Sequence, residues 1–366
     1  MTVTTGLACG PLATPDLAAM AVREAMDKAE AEHVNSLILY LTPEYALDPT
    51  PAILAAARTA ACTQVTGCSA TGIFTESDWV LDSPAAAAMV LCGSPHLGAA
   101  GEAGDGGHLL ALTAPNIVNA AWLKQAGRRF GGVSGDATGQ GAYKVWCGGR
   151  TAPDGRCEVA LGGVRGAVGV SQGALPLCPP RQVTATRGFD VITLAGKEAV
   201  PSLEDCLPPE IARRERIPLH MLMAGVTLGE PQSALAEGRY RLVPIVSGNA
   251  DRSITLAAQP DADAHLFWAL REPAAAERDM QHMLARLAQR LDGAPDFALV
   301  FSCMGRSPYF YGGSDLDLEA IKTRFPGLPF IGFYGNGEIA PFDDGNHLFQ
   351  YSTVVGLFRT HVQTDT

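Results

Sequence analysis

The sequence predicts an α/β fold made of two related domains with mixed sheets, an αββα layering being one arrangement of them. Three observations support this. Apolar runs at 36–41 (SLILYL), 297–301 (FALVF) and 330–334 (FIGFY) read as strands buried on both faces. Helix-start signals lie between such runs, as at Thr14-Pro15-Asp16 and Thr50-Pro51, where proline presets the first helical φ. Lastly, the order helix, strand, Tyr-bearing turn, helical segment and glycine-rich strand end occurs twice.

In chain order, a first strand is expected at 2–9, a helix to about residue 32, the strand 36–41 and an alanine-rich helix to about residue 62. A short strand from Val65 breaks into Gly67-Cys68-Ser69-Ala70-Thr71-Gly72. Strands at 85–92 and 109–113 flank a glycine-rich loop, 98–107, which lacks a GK[ST] ending and reads as a mobile surface loop rather than a phosphate cradle. A helix is predicted at 117–125, and then strands at 143–147, 157–161 and 166–171, separated by turn-rich stretches suited to antiparallel or mixed sheets. Strands at 182–186 and 189–194 precede LPPEIARRERIP at 207–218. That stretch places the domain boundary, giving domains 1–218 and 219–366. Strands at 219–227, 240–246 and 253–256 follow. A helix beginning at Pro273 then carries the stripe Met280, Met283, Leu284, Leu287 and Leu291, which reads as core packing.

Whole-chain properties narrow the function. A length of 366 residues suits about two domains. The formal net charge of -11 argues against binding to nucleic acid or an anionic membrane surface, and the basic residues Arg213, Arg214 and Arg216 stand beside Glu210 and Glu215. No signal peptide or spanning segment is evident, and nine cysteines without a CxxC fit small buried hydrophobes, so a cytoplasmic protein is expected. Nicotinamide and flavin fingerprints, HExxH and EF-hand spacings are all missing from the sequence, so neither cofactor nor metal is expected.

Polar residues concentrate at 297–338. The first strand there ends in Ser302, Cys303, Gly305 and Arg306; the second ends in Gly335-Asn336-Gly337-Glu338. Arg306 offers a planar fork for a carboxylate or phosphate, and Glu338 a partner for an ammonium. Together they fit an amino-acid-like ligand, or else they pair with each other and pin the turn. Asn336 can fix either arrangement, Tyr334 and Phe333 can wall a pocket, and Asp136 stands at the rim of the glycine-rich turn 131–136. Asp315, Asp317, Asp343 and Asp344 read as solvated turns. Cys303 as a thiolate nucleophile requires a base, which folding would have to bring from His282, His347 or His265. Cys68 holds a similar place in the first half; both read as structural or ligand-lining.

FSCMGR at 301–306 and GFYGNGEI at 332–339 resemble the C-terminal motifs of the FIST family; GCSATGI at 67–73, GGVSGDA at 131–137 and GAVGV at 166–170 are similar to its N-terminal ones. The resemblance covers nearly the whole chain. It implies a cytoplasmic sensory module for a small ligand, with amino acids or related metabolites proposed; relatives are fused to output domains or accompany an F-box. The family pattern falls on Cys303, Gly305, Arg306, Gly332, Gly337 and Glu338 without assigning roles. The chain has no room for a kinase, methyl-accepting or cyclase domain, so a signal would pass to a separate partner protein. The resulting expectation is a sensory protein that binds a small polar metabolite, favoured over an enzyme. The alternatives are thiol-dependent amide or thioester chemistry at Cys303 and a protein-recognition scaffold.

Overall fold

The computed structural model describes residues 2–361 except 105, 137, 262, 343 and 344. The strands and helices form an α/β protein with several mixed sheets. The chain divides into two compact units. One comprises residues 1–171 with 281–366, and the other residues 172–280, so the proline-rich stretch 207–218 lies inside the second.

The first unit contains three six-stranded sheets of one design. Strand neighbours along each run antiparallel, antiparallel, parallel, antiparallel, antiparallel. Each sheet is built around one repeat of the chain. The first repeat runs Val3–Cys9, helix Pro15–Ala29, Ser36–Leu41, helix Thr50–Thr59, Val65–Ser69, a hairpin (Gly72–Thr75, Trp79–Leu81) and closing strand Ala85–Leu91. The second runs His96–Ala99, His108–Thr113, Arg128–Val133, hairpin (Val145–Cys147, Arg150–Thr151) and Arg156–Gly162. In the third, Val164–Ser171 is followed by the second unit, whose last residues begin helix Pro273–Leu291. Then come Phe297–Cys303, helix Leu316–Arg324, Phe330–Gly335, hairpin (Gly337–Phe342, Gly345–Phe349) and Thr353–Thr360.

The doubling read from the sequence therefore holds, and a third copy lies between its two members. That copy has only a 3-10 turn (Ala100–Ala103) and the short helix Ala120–Leu123 where the others have long helices, so 117–125 is helical over just four residues. The shortness hides it from a helix–strand reading.

Each hairpin leaves its own sheet. The first repeat's hairpin pairs with the third strand of the third repeat, through Gly72↔Tyr334. The third repeat's hairpin pairs with the second, through Gly337↔Val133, and the second's with the first, through Val145↔Cys68. This closed exchange of arms binds the repeats into one unit and draws the ends of their third strands together.

Glycine makes the parallel pairs possible. A Cβ at Gly67 would lie 1.7 Å from the Leu39 carbonyl oxygen, at Gly131 1.9 Å from that of Ala111, and at Gly332 1.9 Å from that of Val300. Those carbonyls belong to the register partners Leu39↔Gly67, Ala111↔Gly131 and Val300↔Gly332. The close approach of backbone to backbone thus recurs at one position of every repeat.

Strand Ser36–Leu41 shows how the layers form. Leu37, Leu39 and Leu41 pack with Val22, Ala25, Ile53 and Ala56 of the two helices. Ile38 and Tyr40 face the opposite way, into a core shared with Leu110, Phe130, Phe301 and Phe333. Alternation of side chains along a strand buried on both faces produces this division.

The second unit is a closed antiparallel barrel of six strands: Leu222–Thr227, Tyr240–Gly248, Ile254–Leu256, Asp190–Leu194, Arg181–Arg187 and His265–Arg271, which pairs back with Leu222–Thr227. Closure removes the free sheet edges, and Val191, Leu194, Val243, Ile254 and Trp268 lie in its apolar core. No helix among the described residues is long and apolar enough to cross a membrane.

Candidate functional site

Two polar regions of the first unit hold the residues singled out by the sequence. In the first, the strand Phe297–Cys303 ends in a 3-10 turn, Met304–Arg306, which directs Arg306 inward, where it is 1% exposed. Its guanidinium grips Asp317, with Nη2 2.6 Å from Oδ1 and Nε 3.1 Å from Oδ2. It also donates to the Ser171 carbonyl and hydroxyl, both at 3.3 Å. Tyr311 and Thr353 hydroxyls complete the Asp317 shell at 2.9 and 2.8 Å. Arg306 therefore has a carboxylate partner, and that partner is Asp317 rather than Glu338.

Asp315 and Asp317 are buried rather than solvated, because the helix Leu316–Arg324 turns both into the protein. Asp315 caps that helix by accepting from the Leu318 amide at 2.9 Å, and its other oxygen accepts from the Tyr334 hydroxyl at 2.5 Å. Burial, then the nearby Asp317 carboxylate, pushes Asp315 up to about 7, against the pull of these two donors and of Arg306. Asp343 and Asp344 lie outside the described residues.

Glu338 is fully buried. Ser352 donates to Oε2 at 2.6 Å, while Oε1 has no hydrogen-bond partner among the described residues. Burial raises its pKa well above the carboxylate range, against the Ser352 hydroxyl and amide and the Arg306 charge. The cluster thus holds one ion pair and two carboxyls whose neutral forms burial stabilises.

The second region lies where the third strands end. Thr71, Gly135 and Asn336 occupy one position of the three repeats, four residues beyond Gly67, Gly131 and Gly332. They also meet in space: a Cβ on Gly135 would be 2.5 Å from the Thr71 hydroxyl and 3.5 Å from the Asn336 amide nitrogen. Ser134 donates to the Ser69 carbonyl at 2.6 Å, and Asn336 Nδ2 donates to the Ser134 carbonyl at 3.2 Å. Ser69 N–H donates to the Lys144 carbonyl at 2.8 Å, and Lys144 N–H to the Ser69 hydroxyl at 3.0 Å. Thr71 is buried, and its hydroxyl has no partner among the described residues.

Asp136 organises the neighbouring loop. It accepts from the amides of Gly139 and Gly141 at 2.7 and 2.9 Å and from the Thr138 hydroxyl at 2.5 Å. Slight burial would raise its pKa, but these donors and Tyr143 together lower it, so it stays ionised. The Tyr143 hydroxyl interacts with both Asp136 and Asn336, linking the loop to the convergent strand ends.

The structure thus gathers Arg306, Tyr334 and Glu338 in or beside the buried cluster, and Asn336 and Asp136 at the strand ends. Phe333 is a core residue, edge-on to Tyr40 at 4.9 Å and to Phe301 at 5.4 Å. Cys303 is buried at its strand end, its N–H donating to the Ser352 carbonyl at 2.9 Å. Cys68 is also buried, which raises its pKa well above the usual thiol range. His347 packs its ring against Phe342 and Phe349, and His265 belongs to the second unit. Thr71, Tyr143 and Lys144 escaped the sequence reading. The five-residue spacing Gly67–Gly72 and Gly332–Gly337 recurs as Gly131–Asp136, and it would have pointed to Thr71 as the equivalent of Asn336.

Among known proteins, the uncharacterised protein Mb0898c of Mycobacterium bovis is 28% identical over 201 residues, which are 55% of this chain and 52% of that protein. The uncharacterised protein Rv0628c of Mycobacterium tuberculosis is 26% identical over a stretch of the same length, again 55% of this chain and 52% of the relative. The chain spans about half the length of the curated relatives it matches. The FIST N domain matches residues 35–197 and the FIST C domain residues 199–341. With both domains present in tandem, the chain belongs to the FIST family, whose domains are generally linked to sensory and signal-transduction roles.

Proposed function

We propose that this protein is a sensory binder of a small, carboxylate-bearing polar metabolite such as an amino acid, held at the convergent strand ends of the first unit. The observation that carries the reading is the Thr71 hydroxyl, buried with no hydrogen-bond partner among the described residues where three repeats meet. A buried hydroxyl without a partner loses the hydrogen bonds water would give it, a cost a ligand can recover. Asn336 supplies a neighbouring amide, positioned by Tyr143 and the Asp136 loop, and Lys144 places a cation in the sequence next to Tyr143. Arg306 serves the frame in this reading, its guanidinium being committed to Asp317. Glu338 lies two residues beyond Asn336 in the neighbouring buried cluster, where its Oε1 has no hydrogen-bond partner among the described residues. The bound state would be relayed to a separate signalling protein in the cytoplasm.

The test is thermal melting against amino acids, small carboxylates, nucleotides and metal ions. Ligands that bind only the folded state raise the melting temperature with concentration. The expected result is a rise confined to amino acids or small carboxylates and reduced in Lys144→Gln. A rise confined to nucleotides or metals, or one unchanged in that variant, would count against the proposal.

A further inference from the structure

Two thiols of the second repeat, Cys147 and Cys157, stand side by side and take no part in the candidate site. Cys147 ends the arm strand Val145–Cys147 and is half-buried, whereas Cys157 lies in the closing strand Arg156–Gly162 and is buried. Both are free, Cys157 lies in one apolar cluster with Cys147 packed against it, and the two thiols interact with each other and with Thr66. The turn between them contains Gly148, Gly149 and Gly155, all with positive φ, which folds the arm back alongside the strand that follows it. Half-exposure gives a small oxidant access to one sulfur, and the second sulfur is already in place behind it.

We propose that Cys147 and Cys157 form a dithiol that responds to hydroperoxides and closes to a disulfide. The Cys147 thiolate attacks the terminal oxygen of the hydroperoxide. An S–O bond forms, the O–O bond breaks, and the leaving alkoxide takes a proton, giving an alcohol and a sulfenic acid. The Cys157 sulfur then displaces the sulfenic oxygen, which leaves as water with the Cys157 proton. The hydroperoxide is reduced by two electrons and the thiol pair is oxidised by two.

The chemistry of the pair agrees with these roles. The hydrogen bond from Cys157 holds the Cys147 thiol down at about 7, despite burial and the Asp154 charge acting the other way. The same contact, followed by burial, raises Cys157, and its burial behind the half-exposed Cys147 suits it to wait as the resolving thiol. In a second contacting pair, Cys178 and Cys206, burial and then Cys178 push Cys206 up to about 11. That pair is a built-in comparison. Closure would tie the arm to its own repeat. Because the arm also pairs with Val65–Ser69, the strand leading to Thr71, oxidation would stiffen the convergent strand ends.

The experiment exposes the full chain to hydrogen peroxide, alkylates the remaining thiols and digests with trypsin without reductant. Cleavage after Lys144, Arg150, Arg156 and Arg165 places the cysteines in VWCGGR and CEVALGGVR. The expected product joins these two peptides, two hydrogens lighter than their sum, and forms before any Cys178–Cys206 link. In Cys157→Ser, Cys147 should stop at the sulfenic acid and be trapped by dimedone. Recovery of both peptides singly alkylated after excess peroxide would overturn the proposal. So would a Cys157→Ser protein whose Cys147 fails to react with dimedone.

Discussion

Arg306 and Asp317 are each 1% exposed, so their pairing replaces water almost completely. Removing one member leaves the other charged and unmatched, which costs about 3–5 kcal/mol. Arg306→Ala is therefore expected to lower stability by about that amount in chemical denaturation, and Arg306→Ala with Asp317→Leu by less. A single variant as stable as the parent would show that the pair does not carry this load. Asp315 gives a prediction in pH. Its native pKa of about 7 lies above its ordinary 3.8, so the folded state binds the extra proton between those values. The contribution is present in full below about pH 4 and lost as pH rises through about 7. Asp315→Asn can still accept from Leu318 and should flatten this decline in a pH series of melting curves. An unchanged slope would place the proton elsewhere. The sequence showed Arg306 and Glu338 as conspicuous polar residues, yet concealed the partner. Asp315 and Asp317 look like surface acids until the helix Leu316–Arg324 turns both inward.

At the level of elements, the parallel strand pairs depend on the three glycines whose substituents would strike a neighbouring carbonyl. Gly332→Ala is expected to destabilise by about 3 kcal/mol or more, since backbone rather than a flexible side chain would have to yield. Gly188→Ala is the comparison: nothing lies within 4 Å of its Cβ, and only the left-handed φ of 61° opposes it, worth about 1–2 kcal/mol. Equal losses in denaturant midpoint would show that crowding is not the governing effect. The long elements were legible. SLILYL and FALVF are buried strands, and Pro273–Leu291 is the helix that its apolar stripe announced. The hairpin arms were not legible as exchanged elements. Gly72–Thr75 carries no mark of its partner, because its pairing with Phe330–Gly335 is a contact across more than half the chain.

The whole first unit is discontinuous, with three repeats lending arms in a closed circuit and the barrel inserted into the third. A chain cut at residue 218 would keep the hairpin Gly72–Leu81 while losing the strand it pairs with. It is expected to show no cooperative melting transition, and a sharp transition would contradict the interdependence of the repeats. The same circuit brings Thr71, Gly135 and Asn336 together from three distant parts of the sequence, which is why the sequence pointed to Asn336 and to the turn 131–136 separately and passed over Thr71. The most direct measurement is calorimetric titration of the stabilising carboxylate into the parent and into Thr71→Val, a variant of similar shape without the hydroxyl. Loss of one hydrogen bond of about 0.5–1.5 kcal/mol predicts Kd weaker by about two- to tenfold in a protein that still melts cooperatively. Identical affinity in the two proteins would contradict binding at the convergent strand ends.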